Sequence, residues 1–324
     1  MRWFVLVLTG LFFVQAATAQ QSYVPDRRIV VSRDVDFYGA DLQNMFDTTY
    51  DACVQSCLAD DNCAAFTFNS RSNACFPKSA VNDTQPYEGA ISARVYRAAP
   101  GAQKLATARA GDLAFLSVSD LNRARDLAEN IGRIHAAGPW DVAGMIDTAR
   151  QRARDGNLVS AMRWTGGAVS KTDASDQWLE YGRLNSVAEG KTDSETRNFR
   201  DRAYLATINA YLRAPNDPAR VSTLVQLAGL LETRNQGPLM LRALRLAEKI
   251  QPRADVVSML EGAIGKYGFR ITEHRVESDA EQPRICAEFN EPLVKAGVDY
   301  APYVKLPDQR LAVQVSDRTI CVDG

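Results

Sequence analysis

Four of the six cysteines, Cys53, Cys57, Cys63 and Cys75, lie within 23 consecutive residues of the chain. Sulfurs this close in sequence can form two disulfides or hold a zinc ion. Zinc sites usually take their sulfurs as closely spaced pairs from two knuckles, whereas three, five and eleven residues separate these cysteines in turn. The spacing therefore favours two structural disulfides, which require an oxidising compartment.

The N-terminus predicts that compartment. Arg2 is followed by an apolar run over residues 3–14 and then by the small residues Ala17-Thr18-Ala19, as in a secretory signal peptide with its cleavage site. The run is too short to span a bilayer, and a retained interfacial anchor is the alternative. We expect a cleaved signal peptide at residues 1–19 and a soluble mature protein, periplasmic or secreted.

The elements that carry the four clustered cysteines are predicted to be a short helix and a hairpin. Residues 48–58 contain no Gly or Pro, Thr48 can cap a helix there, and Asp51 stands three positions on, a pattern typical of a helix start. The segment AAFTFN, residues 64–69, alternates as a strand does, and SRSN predicts a turn. ACFPK, residues 74–78, then resumes as a second strand.

Geometry disfavours one of the three cysteine pairings. Cys53 and Cys57 would sit one helical turn apart, about 5–6 Å at Cβ, which is beyond the roughly 3.5–4.5 Å of a disulfide. Two pairings remain open. In one of them, Cys57–Cys63 closes the loop that leaves the helix and Cys53–Cys75 ties the earlier helical turn to the second strand. Closing that longer loop would contribute about 3 kcal/mol in the chain-entropy model.

Residues 30–98 resemble the PAN/apple domain family. The resemblance rests on the helix with Cys53 and Cys57 and on the stretches SRDVDFYGADLQNMFDTT, CAAFTFN, NACFPKS and PYEGAISARVY. It implies a small, disulfide-stapled α+β domain, which we place at residues 20–98. In that family the first cysteine pairs with the fourth and the second with the third, which implies Cys53–Cys75 and Cys57–Cys63.

The same resemblance implies a function. PAN/apple domains are binding modules for proteins or carbohydrates, so we expect recognition rather than catalysis. Tyr38, Arg71 and Tyr87 are the candidate residues for a ligand-contacting surface, and side chains that are merely solvated are the alternative. We also expect this module to unfold independently of the rest of the chain when Cys53–Cys75 is reduced.

The middle of the chain is predicted to be helical. Residues 99–112 are rich in Ala and Gly and predict a linker. Amphipathic segments then follow one another over residues 113–268 with short breaks, which predicts antiparallel neighbouring helices. The pair of segments around Gly156 resembles a tetratricopeptide-like repeat. The small residues that would let this pair pack closely are Ala149, Ala161 and Ala168.

The breaks do not recur at a fixed period, so we predict an irregular helical-repeat region. Such an array presents a concave surface to partners or serves as a spacer. Trp140, Trp164 and Trp178 could form a ligand platform, but aromatics at helical spacing are more often core residues. His135 has no cysteine or acidic pair near it in sequence, and we expect it to be hydrogen-bonded within the fold or exposed.

Residues 269–324 change to a strand pattern. Ile285, Ala287 and Phe289 alternate with Cys286 and Glu288, which predicts a strand with those three residues on its buried face. Residues 311–322 predict a hairpin. Cys286 and Cys321 are the two remaining cysteines, and we expect them to pair across the sheet. So small a sheet has open edges and little core, which predicts an incomplete β-sandwich.

A second resemblance covers nearly the whole mature chain. The order of signal, PAN/apple domain, helical region and the stretch FRITEHRVESDAEQPRICAEFNEPL is similar to the N-terminal region of bacterial alpha-2-macroglobulins, which implies a macroglobulin-like β-sandwich at residues 269–324. Full-length members trap proteases through a Cys-x-Glu-Gln thioester, which a nucleophile on the protease opens after a bait segment is cut. No cysteine of this chain is followed by that motif, so the chain alone cannot perform this chemistry.

The function classes follow from these observations. The chain carries 38 Lys and Arg against 39 Asp and Glu, which predicts no nucleic-acid partner. It contains neither Gly-x-Ser-x-Gly nor His-Glu-x-x-His, and its two histidines, His135 and His274, are far apart in sequence; we expect no enzyme, no cofactor and no metal. The leading interpretation is the N-terminal portion of a macroglobulin-like endopeptidase inhibitor, whose partners are proteases bound through downstream domains. The alternative is a standalone exported protein that binds a protein or carbohydrate through its PAN/apple domain.

Overall fold

A computed structural model describes residues 22–279, 283–293, 298–306 and 311–323. The predicted signal peptide at residues 1–19 lies outside the described residues. The described chain contains a small sheet with one helix, then an array of helices, then a second sheet. This order agrees with the multidomain class predicted from the sequence.

The first sheet has four antiparallel strands in the order β1-β4-β2-β3. Its elements are β1 (Arg27–Tyr38), α1 (Tyr50–Ala59), β2 (Ala65–Asn69), β3 (Ala74–Lys78) and β4 (Asp83–Arg97). The helix α1 packs on the hairpin of β2 and β3. Val54, Phe66 and Phe68 are buried between them. The two phenylalanines of the AAFTFN strand therefore form part of the core of this domain, as their alternation predicts.

The start of α1 differs by one residue from the sequence prediction. Thr49, and not Thr48, is the capping residue, and its hydroxyl accepts a hydrogen bond from the backbone N–H of Ala52 at 3.2 Å. The backbone N–H of Thr48 instead bonds to the carbonyl of Asn73. Thr48 is therefore held by the β2–β3 turn, and the helix begins one position later.

A helical array follows the first sheet. Its helices are α2 (Ala102–Asp112), α3 (Val118–Ile134), α4 (Val142–Arg154), α5 (Leu158–Thr172), α6 (Ser175–Val187), α7 (Asp193–Leu212), α8 (Asp217–Thr233), α9 (Gly237–Ile250) and α10 (Ala254–Tyr267). From α4 onward each helix packs against the next. Trp178, Tyr181, Tyr204 and Tyr211 are among the largest side chains buried in the core of the array.

The linker prediction for residues 99–112 is wrong, because most of this stretch is the helix α2. Ala106 and Ala110 are buried in the core of the array, and α2 packs on α7. Tyr211 of α7 also donates a hydrogen bond from its hydroxyl to Asp112 at 2.9 Å. The alanines that suggested a linker instead allow close helix packing, because a small side chain lets two helices approach each other.

The helix pair around Gly156 is formed by α4 and α5. Gly156 has φ of +75°, a conformation that favours glycine, and it joins the two helices through a short connection. The small residues singled out in the sequence are all buried: Ala149, Ala161 and Ala168. The sequence therefore predicted this pair correctly.

The array also packs directly on the first sheet. Strand β1 contacts α3 and α5, and Val30 of β1 lies in one cluster with Met145 and Ala168. Gly132 of α3 is essential to this contact, because a Cβ built on it would come within 2.1 Å of the carbonyl oxygen of Ile29. These contacts argue against the expectation that the first domain is independent of its neighbours.

The last part of the described chain forms an antiparallel sheet in the order β5-β6-β8-β7. Its strands are β5 (Ile271–Glu277), β6 (Arg284–Phe289), β7 (Ala312–Ser316) and β8 (Thr319–Asp323). The described residues here provide this one sheet and a 3₁₀ turn, Ala301–Tyr303. The predicted sheet is present, whereas a second sheet that would make a sandwich is not seen among the described residues.

The prediction of which face of β6 is buried is wrong. The strand register places Val276, Ile285, Val322 and Val313 in one row across the sheet, yet the side chain of Ile285 is 57% exposed. The buried residue of β6 is Cys286, on the opposite face. The alternation was read correctly, but no second layer covers the apolar face among the described residues.

Candidate functional site

The disulfides fix the frame of the first domain. Cys53 of α1 is bonded to Cys75 of β3, and Cys57 is bonded to Cys63 just before β2. All four cysteines are buried. The two bonds therefore tie both turns of α1 to the hairpin that it covers.

The third disulfide lies in the last sheet. Cys286 of β6 and Cys321 of β8 are directly opposite in the strand register and are bonded to each other. Because all six cysteines are in disulfides, the chain has no thiol that could form a thioester.

Beyond the hairpin, the strands β1 and β4 continue as a two-stranded ribbon. Tyr38 lies opposite Asp83, and Asp36 lies opposite Gln85. Since side chains alternate along a strand, one face of the ribbon carries Asp36, Tyr38, Asp83, Gln85 and Tyr87; we call it the ribbon face. The side chains of Tyr38 and Tyr87 are 40% and 39% exposed, so two aromatic rings are presented to solvent on one surface.

The ribbon face is acidic. The neighbouring carboxylate of Asp36 raises the pKa of the Tyr38 hydroxyl, with smaller contributions from Tyr87 and Asp83. Asp36, Asp83 and Tyr87 thus all lie close enough to Tyr38 to affect its pKa, as the strand register predicts. The pKa of Tyr38 rises because a negative neighbour disfavours a phenolate. The hydroxyl of Tyr38 therefore keeps its proton and can donate a hydrogen bond, and the carboxylate oxygens of the ribbon face can accept one.

Arg71 lies beside the ribbon face rather than on it. It belongs to the turn between β2 and β3, and its guanidinium forms an ion pair with Glu88 at 3.0 Å. In the same turn region, the side-chain amide of Asn69 donates to the Tyr87 hydroxyl at 3.4 Å. The structure thus brings Tyr38 and Tyr87 together, and it places Arg71 next to Tyr87 with its charge already paired.

A cavity of about 600 Å³ in the helical array is lined in part by Arg163 and Arg202, which no feature of the sequence singles out. It lies between the loop after α3 and the helices α5 and α7. Trp140 stands at this cavity and packs edge-to-face on Trp164 at 5.4 Å. Trp140 is 55% exposed, whereas Trp178 is fully buried. The core interpretation is therefore correct for Trp178 and wrong for Trp140, which sits in a loop and not on a helix.

His135 also lines this cavity. Its Nε2 and the Tyr181 hydroxyl are hydrogen-bonded at 2.8 Å, which confirms the expectation of a hydrogen-bonded histidine. Burial, assisted by Arg202 and Arg163, lowers the pKa of His135 to about 3. Burial likewise raises the pKa of Tyr181 to about 12. Both groups are therefore neutral at physiological pH, and the charged groups of the cavity are the two arginines and Glu195.

Two further features of the described residues bear on function. They contain no helix that is both long and apolar enough to cross a membrane. In the same part of the chain, no group of three or more His, Cys, Asp or Glu side chains is arranged to hold a metal ion.

Comparison with known proteins identifies the first domain. Residues 35–80 match the family model of the PAN domain, which covers α1, the hairpin and both of its disulfides. The chain thus contains a PAN domain, a class of binding module. No curated protein matches the chain.

Proposed function

We propose that this chain is an exported recognition protein whose ribbon face binds a carbohydrate. The observation that carries the proposal is the pair of exposed tyrosines, Tyr38 and Tyr87, set among carboxylates on one face of a PAN domain. Three disulfides support an oxidising, extracytoplasmic location. In this proposal the chain acts by binding and has no catalytic role.

The chemistry of the ribbon face fits a sugar. A tyrosine ring offers an apolar surface and a hydroxyl that both donates and accepts hydrogen bonds. Carboxylates accept hydrogen bonds from sugar hydroxyls, and charge-assisted bonds of this kind are stronger than neutral ones. Arg71 forms an exposed ion pair with Glu88 at 3.0 Å beside Tyr87. A basic protein surface is the other ligand that an acidic face could attract.

A glycan array probed with the mature protein tests this proposal. We expect binding to a restricted set of oligosaccharides, and we expect Tyr38→Ala and Tyr87→Ala each to weaken it at least about tenfold, the equivalent of about 1.4 kcal/mol. Tyr303→Ala is the matched control, because Tyr303 is an exposed tyrosine outside the PAN domain. Equal binding by all three variants would refute the ribbon face as the site. Salt-sensitive capture of basic proteins with no sugar bound would replace the carbohydrate with a protein ligand.

A finer proposal is that the chain forms the N-terminal portion of a macroglobulin-like endopeptidase inhibitor. It is supported by the apolar face of the last sheet, where Val276, Ile285 and Val315 are exposed, because a β-sandwich would cover such a face with a second sheet. The PAN domain would then recruit the target, and downstream domains would trap proteases.

The intact mass of the native protein tests this finer proposal, using an antibody raised against the PAN domain to isolate it. The inhibitor proposal requires a mass several times the 35.7 kDa of this chain. A mature mass slightly below 35.7 kDa would exclude it and leave the standalone recognition protein. The glycan array result is independent of this mass, so the two proposals can fail separately.

A further inference from the structure

A second cavity, of about 460 Å³, lies where the PAN sheet meets the helical array. Strands β1 and β4 contribute Arg28 and Tyr96, and the ends of α5 and α7 contribute Asp173 and Arg213. The segment that leads into α2 completes the wall. Neither the PAN match nor the ribbon face extends to this cavity, so its chemistry has to be explained separately.

Two arginines in this cavity share one carboxylate. The side chains of Arg28 and Arg213 are only 3% and 6% exposed. Arg213 donates from Nε to Asp173 Oδ1 at 2.7 Å, and the indole of Trp178 donates to the same oxygen at 2.8 Å. Nη1 of Arg28 is 3.7 Å from Asp173 Oδ2, which is beyond hydrogen-bonding distance. Two buried positive charges thus face a single negative one.

Both arginines also keep an unpartnered nitrogen. Arg28 donates from Nε to the carbonyl of Ser170 at 2.9 Å and from Nη2 to that of Lys171 at 3.1 Å, yet its Nη1 has no hydrogen-bond partner among the described residues. Within the same described part of the chain, Nη2 of Arg213 has none either. A buried N–H without a hydrogen-bond partner is costly, because the hydrogen bond it made to water in the unfolded chain is not replaced.

The N-termini of two helices add positive charge to this cavity. Helix α2 begins after Gly101 and helix α6 begins after Ala174, and both starts line the cavity. Among the described residues, no side-chain hydrogen bond caps either helix, as is also the case for α9 and α10. The first N–H groups of a helix carry partial positive charge and bind anions.

The remaining charges do not cancel this excess. Lys171 also lines the cavity and donates to the carbonyls of Gly138 and Trp140. Arg97 is bound to the backbone carbonyl of Asp61 at 2.8 Å and lies 3.4 Å from its carboxylate. The other nearby acid, Asp176 in the first turn of α6, is exposed to solvent. The cavity therefore carries a net positive charge.

We propose that this cavity binds an oxyanion of the phosphate or sulfate type, held by Arg28, Arg213 and the N-termini of α2 and α6. A tetrahedral oxyanion presents several acceptor oxygens and can accept hydrogen bonds from several donors at once, which a single-atom anion does less well. The cavity is larger than one such ion, so the anion is either inorganic or the charged group of a larger ligand, such as a phosphorylated or sulfated sugar.

The first test is calorimetric titration of the mature protein with sodium phosphate at constant ionic strength. The phosphate concentration stays in the millimolar range, because phosphate at much higher concentrations stabilises folded proteins by exclusion from their surface rather than by binding to a site. We expect saturable binding, with Arg28→Met weakening it at least about tenfold, and Arg28→Lys retaining part of it because the charge remains. Arg150→Gln is the matched control, since Arg150 is an exposed arginine on α4 and its loss should leave the affinity unchanged.

A second variant separates binding from folding. Asp173→Asn removes the one negative charge that competes with the ligand, so we expect it to tighten phosphate binding about tenfold even if it lowers the stability of the fold. Tighter binding of glucose 6-phosphate than of phosphate would assign the anion to a larger ligand, and equal binding would assign an inorganic ion. Absence of saturable phosphate binding to the wild-type protein, or an affinity that Arg28→Met and Asp173→Asn leave unchanged, would overturn the proposal.

Discussion

A buried histidine shows how single residues set the chemistry of this molecule. His135 lies in the core with its Nε2 hydrogen-bonded to Tyr181 at 2.8 Å, and its ring packs so close to α5 that a Cβ on Gly166 would meet it at 2.2 Å. Arg163 and Arg202 repel a proton on the ring, and burial opposes its charge even more. His135 therefore stays neutral in the folded protein.

The lowered pKa of His135 makes stability depend on pH. In the unfolded chain the histidine takes up a proton below about pH 6.5, while in the folded protein it does so only near its pKa of about 3. The unfolded state thus binds more protons as the pH falls from 6.5 towards 3, so this group lowers the free energy of unfolding by about 1.4 kcal/mol per pH unit. Stability is unaffected by it above pH 7.

Urea unfolding between pH 4.5 and 7.5 measures this dependence. Other groups also contribute to the slope, so the informative quantity is the difference between the wild type and His135→Gln, which should show a shallower slope. His274→Gln is the control, because it removes an exposed histidine and leaves His135 in place. Parallel curves for the wild type and His135→Gln would show that the fold does not lower the pKa of this histidine.

The position of a residue could be predicted from the sequence when it depends mainly on neighbours close in the chain. The cap of α1 was predicted within one residue, because a capping hydroxyl acts on its own helix; the bond from Thr48 to the carbonyl of Asn73, which moved it, is not local. Trp140 was misassigned because its loop position depends on where α3 ends. The unpartnered nitrogens of Arg28 and Arg213 depend on β1 meeting the ends of α5 and α7, and the sequence has no signal for that meeting.

At the scale of elements, the contact of α3 with β1 depends on one glycine. Gly132 has no side chain where the helix crosses the strand, and a Cβ would overlap the carbonyl oxygen of Ile29 at 2.1 Å. The atoms that this Cβ would meet belong to the backbone of Ile29 and Val30. A change of side-chain rotamer therefore cannot relieve the overlap. The helix and the PAN sheet would have to separate.

We therefore expect Gly132→Ala to destabilise the protein. Forced overpacking costs typically about 1–3 kcal/mol and occasionally more, which outweighs the roughly 0.5–1 kcal/mol that alanine gains over glycine within a helix. Gly262→Ala in α10 is the matched control: a Cβ there meets nothing within 4 Å, so it should stabilise by the helix-propensity term alone. Thermal unfolding of the two variants should shift in opposite directions, and a stabilised Gly132→Ala would show that the helix does not pack this closely.

Elements with a strong local pattern were predictable, and their surroundings were not. The hairpin of β2 and β3 follows from alternation around a turn, and α4 and α5 follow from their helical period and Gly156. The alternation along β6 was predicted correctly, but the face that carries Ile285 is exposed, because burial depends on a second layer that the alternation does not encode. The alanines of α2 suggested a linker because composition alone does not distinguish a flexible segment from a closely packed helix.

At the scale of the whole molecule, the PAN domain and the helical array share an interface that is polar as well as apolar. Arg28 of β1 donates to two carbonyls at the end of α5. Arg133 of α3 pairs with Asp51 of α1 and lies over the ring of Tyr50 at 5.2 Å. Such contacts join residues that are far apart in sequence, which is why the sequence suggested separate units.

This interface predicts that the two parts unfold together. Replacing Cys53 and Cys75 by alanine removes a crosslink that contributes about 3 kcal/mol in the chain-entropy model. If the PAN domain unfolded alone, the loss would be confined to it. Because β1 is packed on α3 and α5, we expect the array to lose stability with it, in one cooperative transition.

Hydrogen exchange followed by mass spectrometry can separate these outcomes, since it reports on each segment of the chain. In the double variant, protection of amides in β2 and in α7 should fall by the same free energy, because both would exchange through the same global opening. Adding Arg28→Met should uncouple them, so that β2 loses more protection than α7. A fall limited to the PAN domain in the double variant would instead support the independent module that the sequence suggested. The hydrogen bonds of Arg28 to the end of α5 would then position the two parts without making them one folding unit.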